Sequence, residues 1–144
     1  MTTEEFLSAI KSRGAIFAPP ATINQITFTN ASLQQHRHAL IPQALINLFT
    51  KTGGINLGNG YIFGPNEIAR TNLYPTPSIL QVNTDIAPLG KTTGKTIFGR
   101  NDLFYFAFDA FGAFYLLDNI TLNPMRKYDD MHRALTDCLI AGKI

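Results

Sequence analysis

The chain has 144 residues, 45% hydrophobic and 15% charged, with a formal net charge of +2. That length supports one ordinary domain with a proper core, and the composition excludes a disordered polymer. The small charge and the lack of a basic run longer than Arg126-Lys127 argue against a nucleic-acid partner. No stretch approaches the roughly 18 consecutive apolar residues of a membrane span.

Thr2-Thr3-Glu4-Glu5 fits a capping box, in which a hydroxyl and a glutamate three positions on satisfy free N–H groups. Phe6, Ala9 and Ile10 then share one helical face, and Gly14 with Pro19-Pro20 ends the element. This start lacks the basic n-region and apolar h-region of a signal peptide. A single cysteine, Cys138, excludes an internal disulfide. Both features lead us to expect a cytoplasmic protein.

Residues 15–29 read as irregular or extended, with Ile23, Ile26 and Phe28 apolar. Asn30 or Ser32 suits the cap of a second helix reaching about Leu40. Pro42 suits the first turn of a third, running to Lys51 with Leu45, Ile46, Leu48 and Phe49 inward. Thr52-Gly53-Gly54 closes it, because glycine accepts the left-handed C′ conformation. Gly58-Asn59-Gly60 predicts a turn before the strand Tyr61–Phe63. Pro65–Ala69 reads as about one helical turn, Pro75 and Pro77 as a surface loop, and Ser78 as the cap of a helix over Ile79–Ala87. Lys91–Lys95 is a flexible polar turn. Strands follow at 96–99, 103–109, 113–118 and about 123–127. Asp129 and Asp130 complement the N-terminal partial charge of a last helix whose apolar stripe is Met131, Leu135, Cys138 and Leu139.

The aromatic run from Asn101 to Asn119 sorts by parity, since strand side chains alternate faces. Asp109-Ala110-Phe111-Gly112 carries the chemistry of a hairpin turn. The resulting register pairs Asp109 with Ala113, Phe108 with Phe114, Phe106 with Leu116 and Tyr105 with Leu117. One face holds Phe104, Phe106, Phe108, Phe114 and Leu116 and reads as helix-packed core. The other holds Leu103, Tyr105, Ala107, Tyr115 and Leu117 and reads as a half-exposed surface. Cross-strand aromatic pairs commonly stabilise sheets, so core is the plain reading of the whole run. Interfaces are enriched in tyrosine, so Tyr105 and Tyr115 are candidates for partner binding, with Asp102 and Asp118 beside them near the open end of the hairpin. Strand-end solvation is the plain alternative for those two aspartates.

Catalytic patterns fail on inspection. Gly90–Thr96 resembles a phosphate loop, but the glycine required upstream is Leu89 or Asp85. Gly58 and Gly60 lack the third glycine of a dinucleotide fingerprint, since Phe63 stands there. His36 and His38, two apart on a helix, point to different sides, and no carboxylate or cysteine lies near them in sequence to complete a metal site with His132. Cys138 on an apolar stripe reads as a core residue, and no serine has a nucleophile-elbow context. We therefore expect no catalytic residue, cofactor or metal.

The order of pieces carries a resemblance. Ile41-Pro42 precedes a helix ending in Leu48-Phe49 and Thr52-Gly53-Gly54, followed by Tyr61-Ile-Phe-Gly-Pro-Asn-Glu-Ile68. Then come Ile97-Phe-Gly-Arg-Asn-Asp-Leu-Phe104, the Asp-to-Gly hairpin, Phe114-Tyr-Leu-Leu-Asp118 and a final helix. This resembles the SMI1/KNR4 family of the SUKH superfamily, over residues 41–140 of a single domain spanning 1–144. The resemblance implies an α+β fold with a central antiparallel sheet flanked by helices. It also implies an immunity protein of bacterial type, a non-catalytic domain that neutralises a cognate toxin by direct binding. Nuclease inhibitors are commonly acidic, so the slight basic charge argues against a nuclease target. A regulatory or scaffold module of the same fold is the alternative, and a small-molecule binder with an aromatic pocket is a third reading.

Overall fold

The computed structural model describes residues 2–69, 75–86 and 94–141. The chain opens with α1 (Thr3–Lys11), capped by the Thr2 hydroxyl, which accepts from the Glu5 N–H. Phe6 and Ile10 are its buried residues. A two-residue strand, β1 (Ile16–Phe17), precedes α2 (Ile23–Gln35). This helix runs through a segment whose composition reads as extended. Its start is a capping box, with Thr22 and Gln25 exchanging side-chain-to-backbone hydrogen bonds. Two backbone N–H groups satisfied at the first turn offset the weak helix propensity of Ile23, Ile26 and Thr27. Asn30 and Ser32 therefore lie inside the helix and not at its cap. Asn30 turns its Oδ1 to the Ile41 N–H, tying α2 to the chain that returns beside it.

Next comes α3 (Gln43–Phe49), with Pro42 at its N-cap and Leu45, Leu48 and Phe49 buried. The helix ends at Thr50 without a left-handed glycine. Gly53 and Gly54 serve another purpose, which is close approach. The backbone at Gly53 meets that at Gly64 so tightly that a Cβ on Gly64 would lie 1.9 Å from the Gly53 carbonyl oxygen. The pair β2 (Ile55–Leu57) and β3 (Gly60–Ile62) forms a hairpin through Gly58-Asn59. Residues 65–69 form bends and one isolated bridge, Ile68 to Thr76, in place of the expected helical turn. Ser78 caps α4 (Ile79–Ile86), with Gln81 completing the box. Most of the expected Lys91–Lys95 turn lies outside the described residues. The strands β4 (Lys95–Arg100), β5 (Phe104–Asp109), β6 (Phe114–Asp118) and β7 (Pro124–Tyr128) follow, then α5 (Met131–Ile140). Asp130 caps α5 by accepting from the Arg133 N–H, and the expected stripe of Met131, Leu135, Cys138 and Leu139 is buried.

Among the described residues, the seven strands form one sheet in sequence order, every neighbouring pair antiparallel. The hairpin register is as expected, and Gly112 takes its left-handed position at φ 78°. A bulge in β4 between Ile97 and Gly99 lets Phe98 join the core, with its ring 6.0 Å from Phe108 and 5.5 Å from Phe114. Phe106, Phe108 and Phe114 are buried, whereas Phe104 and Leu116 at the end of that face are half-buried. A Cβ at Gly99 would meet Cys138 Sγ at 3.1 Å, so α5 covers the face that Gly99 shares with Phe106. α1 leans on α5, where the Phe6 and His132 rings lie 5.8 Å apart.

Candidate functional site

The face of the sheet away from α5 carries the site. Strand pairing sets Tyr61 opposite Arg100 and Arg100 opposite Tyr105, so the three side chains stand in one row across β3, β4 and β5. The Arg100 guanidinium lies over the Tyr105 ring at 5.6 Å, the geometry of a cation–π contact. Tyr61 in turn stacks its ring parallel to Phe63, 6.2 Å away.

α4 forms the far wall, and its placement depends on one buried side chain. β3 ends at Ile62, which leaves the Ile97 N–H and C=O on that side of β4 without a strand neighbour. Asn83 supplies both missing partners. Its Oδ1 accepts from the Ile97 N–H at 2.8 Å, and its Nδ2 donates to the Ile97 and Ile79 carbonyls at 2.8 Å each. A single amide thus imitates a strand edge and pins the helix to the sheet.

Between this helix and the Tyr–Arg–Tyr row lies a cleft of about 420 Å³. Tyr61, Phe63 and Tyr105 form its aromatic side, with Val82 and Ile86 opposite. Asn59, Asp85, Arg100 and Asp102 bring polar groups to it, and Thr76 and Pro77 complete its lining. Asn59 donates to the Asp102 carboxylate at 2.7 Å. Thr76 is 1% exposed, and its Oγ1 is buried without a hydrogen-bond partner.

Of the residues singled out from sequence, Asp102 and Tyr105 line this cleft. Tyr115 shares the sheet face with Tyr105 but sits further along it, opposite Ala107. Its hydroxyl donates to Asp109 at 2.8 Å, and Lys95 lies 5.6 Å from its ring centre. That bond pushes the Tyr115 phenol up, with burial adding to it. For Asp109, burial works upward, but backbone N–H donors at Ala113 and Phe111 and the Tyr115 hydroxyl outweigh it and hold the carboxyl low. Both tyrosines are half-buried. Asp118 is engaged in its own turn, accepting from the N–H groups of Thr121 and Ile120 and from the Thr121 hydroxyl. Those donors hold its carboxyl low.

Tyr61, Arg100 and Asn59 escape a reading from sequence because only strand pairing brings them to Tyr105. The three histidines bond separately, to Ser32, Lys95 and Thr3, and among the described residues no group of three His, Cys, Asp or Glu side chains is placed to hold a metal ion. Cys138 is 2% exposed and bonds the Tyr61 and Arg100 carbonyls from beneath the row, while burial pushes its thiol up. Among the described residues no helix is long and apolar enough to cross a membrane.

The molecule is an α+β protein built on one antiparallel meander with helices against it. In sequence comparison no protein-family model matches the chain, and no curated protein does so either.

Proposed function

We propose that this is a non-catalytic protein-binding domain of SMI1/KNR4 type, acting in the cytoplasm as an immunity protein that neutralises a cognate bacterial toxin by direct contact. The observation that carries the reading is the Tyr61–Arg100–Tyr105 row, laid across three strands beside a concave surface. Tyrosine and arginine are the residue types that dominate binding hot spots. A sheet gives them a rigid platform, so little entropy is lost when a partner docks. Asp102, held by Asn59, adds a fixed negative charge at the rim. The order of motifs from Ile41 to the final helix supports the family resemblance, and the toxin is what that resemblance implies. The same surface suits an endogenous partner if the domain is a scaffold module. Co-expression with the toxin encoded next to its gene tests the reading. Rescue of growth by the wild type, and its loss with Tyr105→Ala, is the expected result, and no protection by the wild type refutes immunity.

A second reading has its own observation. The cleft falls in the size range of small-molecule sites, and several polar groups converge on an aromatic side.

A further inference from the structure

The cleft holds opposite charges that the protein keeps apart. Arg100 forms no ion pair among the described residues, although Asp102 follows it closely in the chain. Asp102 is bound by the Asn59 amide instead, and Asp85, on the last turn of α4, makes no ion pair among those residues. The third observation is Thr76, whose hydroxyl is buried and unpartnered in a residue that lines the cleft. Buried hydroxyls are normally satisfied, and an exception asks for an explanation such as a bound group.

We propose that the cleft binds a small dipolar ligand, a free α-amino acid with an aromatic or aliphatic side chain. This rests on the second of the two readings above and names its ligand. A strongly anionic ligand meets Asp85 and Asp102, and a simple cation meets Arg100. A molecule with one charge of each sign conflicts with neither. Its carboxylate matches the planar fork of Arg100, which favours bidentate contact. Its ammonium faces Asp102 and Asp85. Its side chain lies on the rings of Tyr61, Phe63 and Tyr105, and the Thr76 hydroxyl gains a partner. A cleft of about 420 Å³ is at the small end of the range for such sites, which suits one amino acid or a dipeptide.

The test is calorimetric titration of the full chain with L-phenylalanine up to about 10 mM, which reads millimolar and tighter dissociation constants. L-phenylalaninamide lacks the carboxylate and N-acetyl-L-phenylalanine lacks the ammonium. We expect saturable one-to-one binding of L-phenylalanine, weakened about tenfold or more by either modification and by Arg100→Gln or Asp85→Asn. Both substitutions are at exposed positions, so folding is retained and is checked by thermal melting. Thr76→Val is the sharper variant. Removing an unpartnered hydroxyl leaves the melting temperature unchanged or higher, whereas binding weakens several-fold. Absence of saturable heat with L-phenylalanine overturns the proposal. So does equal binding of the amide or the acetylated form, which leaves a small-molecule site in place but not a dipolar ligand. Unchanged affinity in Arg100→Gln or Thr76→Val overturns it as well.

Discussion

Replacing Asn83 by alanine removes the group that joins α4 to the sheet. Asn83 is fully buried, and its amide satisfies both the N–H and the C=O of Ile97. Alanine leaves two backbone groups unpaired where no strand reaches them. Each buried unsatisfied group costs about 1–3 kcal/mol, and truncation adds a small cavity term, so the loss is about 3–5 kcal/mol. A domain of this size has about 5–15 kcal/mol to lose. With a urea m-value of about 2 kcal/mol/M, the midpoint falls by about 1.5–2.5 M. Asn83→Asp refines the test. Its carboxylate keeps the bond from Ile97 N–H but turns a negative oxygen toward the Ile97 carbonyl. Burial and that repulsion raise the folded-state pKa above the unfolded value of about 3.9. A raised carboxyl contributes stability below the unfolded value and loses it as pH rises through the folded value. The penalty of Asn83→Asp is therefore larger at pH 7 than at pH 4. A loss under about 1 kcal/mol for Asn83→Ala, or a pH-independent penalty for Asn83→Asp, refutes the strand-edge account.

Three further outcomes follow from other contacts. Gly64→Ala drives a methyl into the Gly53 carbonyl and disturbs the bond from Ile79 N–H to the Gly64 carbonyl that starts α4; equilibrium unfolding shows a loss of about 3 kcal/mol or more, beyond ordinary overpacking. Tyr115→Phe removes one donor from Asp109, so carbon-13 NMR finds the Asp109 titration moved up toward the ordinary carboxylate value. The sign for stability is fixed, because a depressed carboxyl stabilises the fold above its unfolded value, about 3.9, and loses that contribution as pH falls through the folded one. The Cys138 thiol is buried and held protonated, so its reaction with an aromatic disulfide reagent at pH 8 proceeds only as fast as the fold opens, and subdenaturing urea accelerates it.

The elements legible in the sequence are those where local chemistry and pattern agree. The β5–β6 hairpin declares itself through parity and through Asp109 and Gly112, which settle the register. α5 does so through Asp130 and a clean apolar stripe. α2 does not, because its apolar residues mark no single face. Ile23 is 65% and Phe28 68% exposed, while Ile26 and Leu33 are buried. Its true signal is the Thr22–Gln25 box. Gly53 reads as a helix stop, yet its role is to let two backbones touch, and nothing near it in sequence announces Gly64 as its partner. The site is legible only in part. Tyr105 and Asp102 stand out within the aromatic run, but Tyr61 and Arg100 join them through pairing between distant strands, and Thr76 through the bridge to Ile68.

The central claim is that the Tyr61–Arg100–Tyr105 row is where the protein grips a partner. On the proposed immunity reading, the most direct measurement is the dissociation constant for the product of any toxin gene found beside this one, compared between wild type and the separate variants Tyr105→Ala and Arg100→Ala. Removing a hot-spot side chain costs about 2 kcal/mol or more, so each variant binds about 30-fold or more weakly, with its melting curve intact. Tight binding that neither substitution weakens places the interface elsewhere on the molecule and contradicts the account.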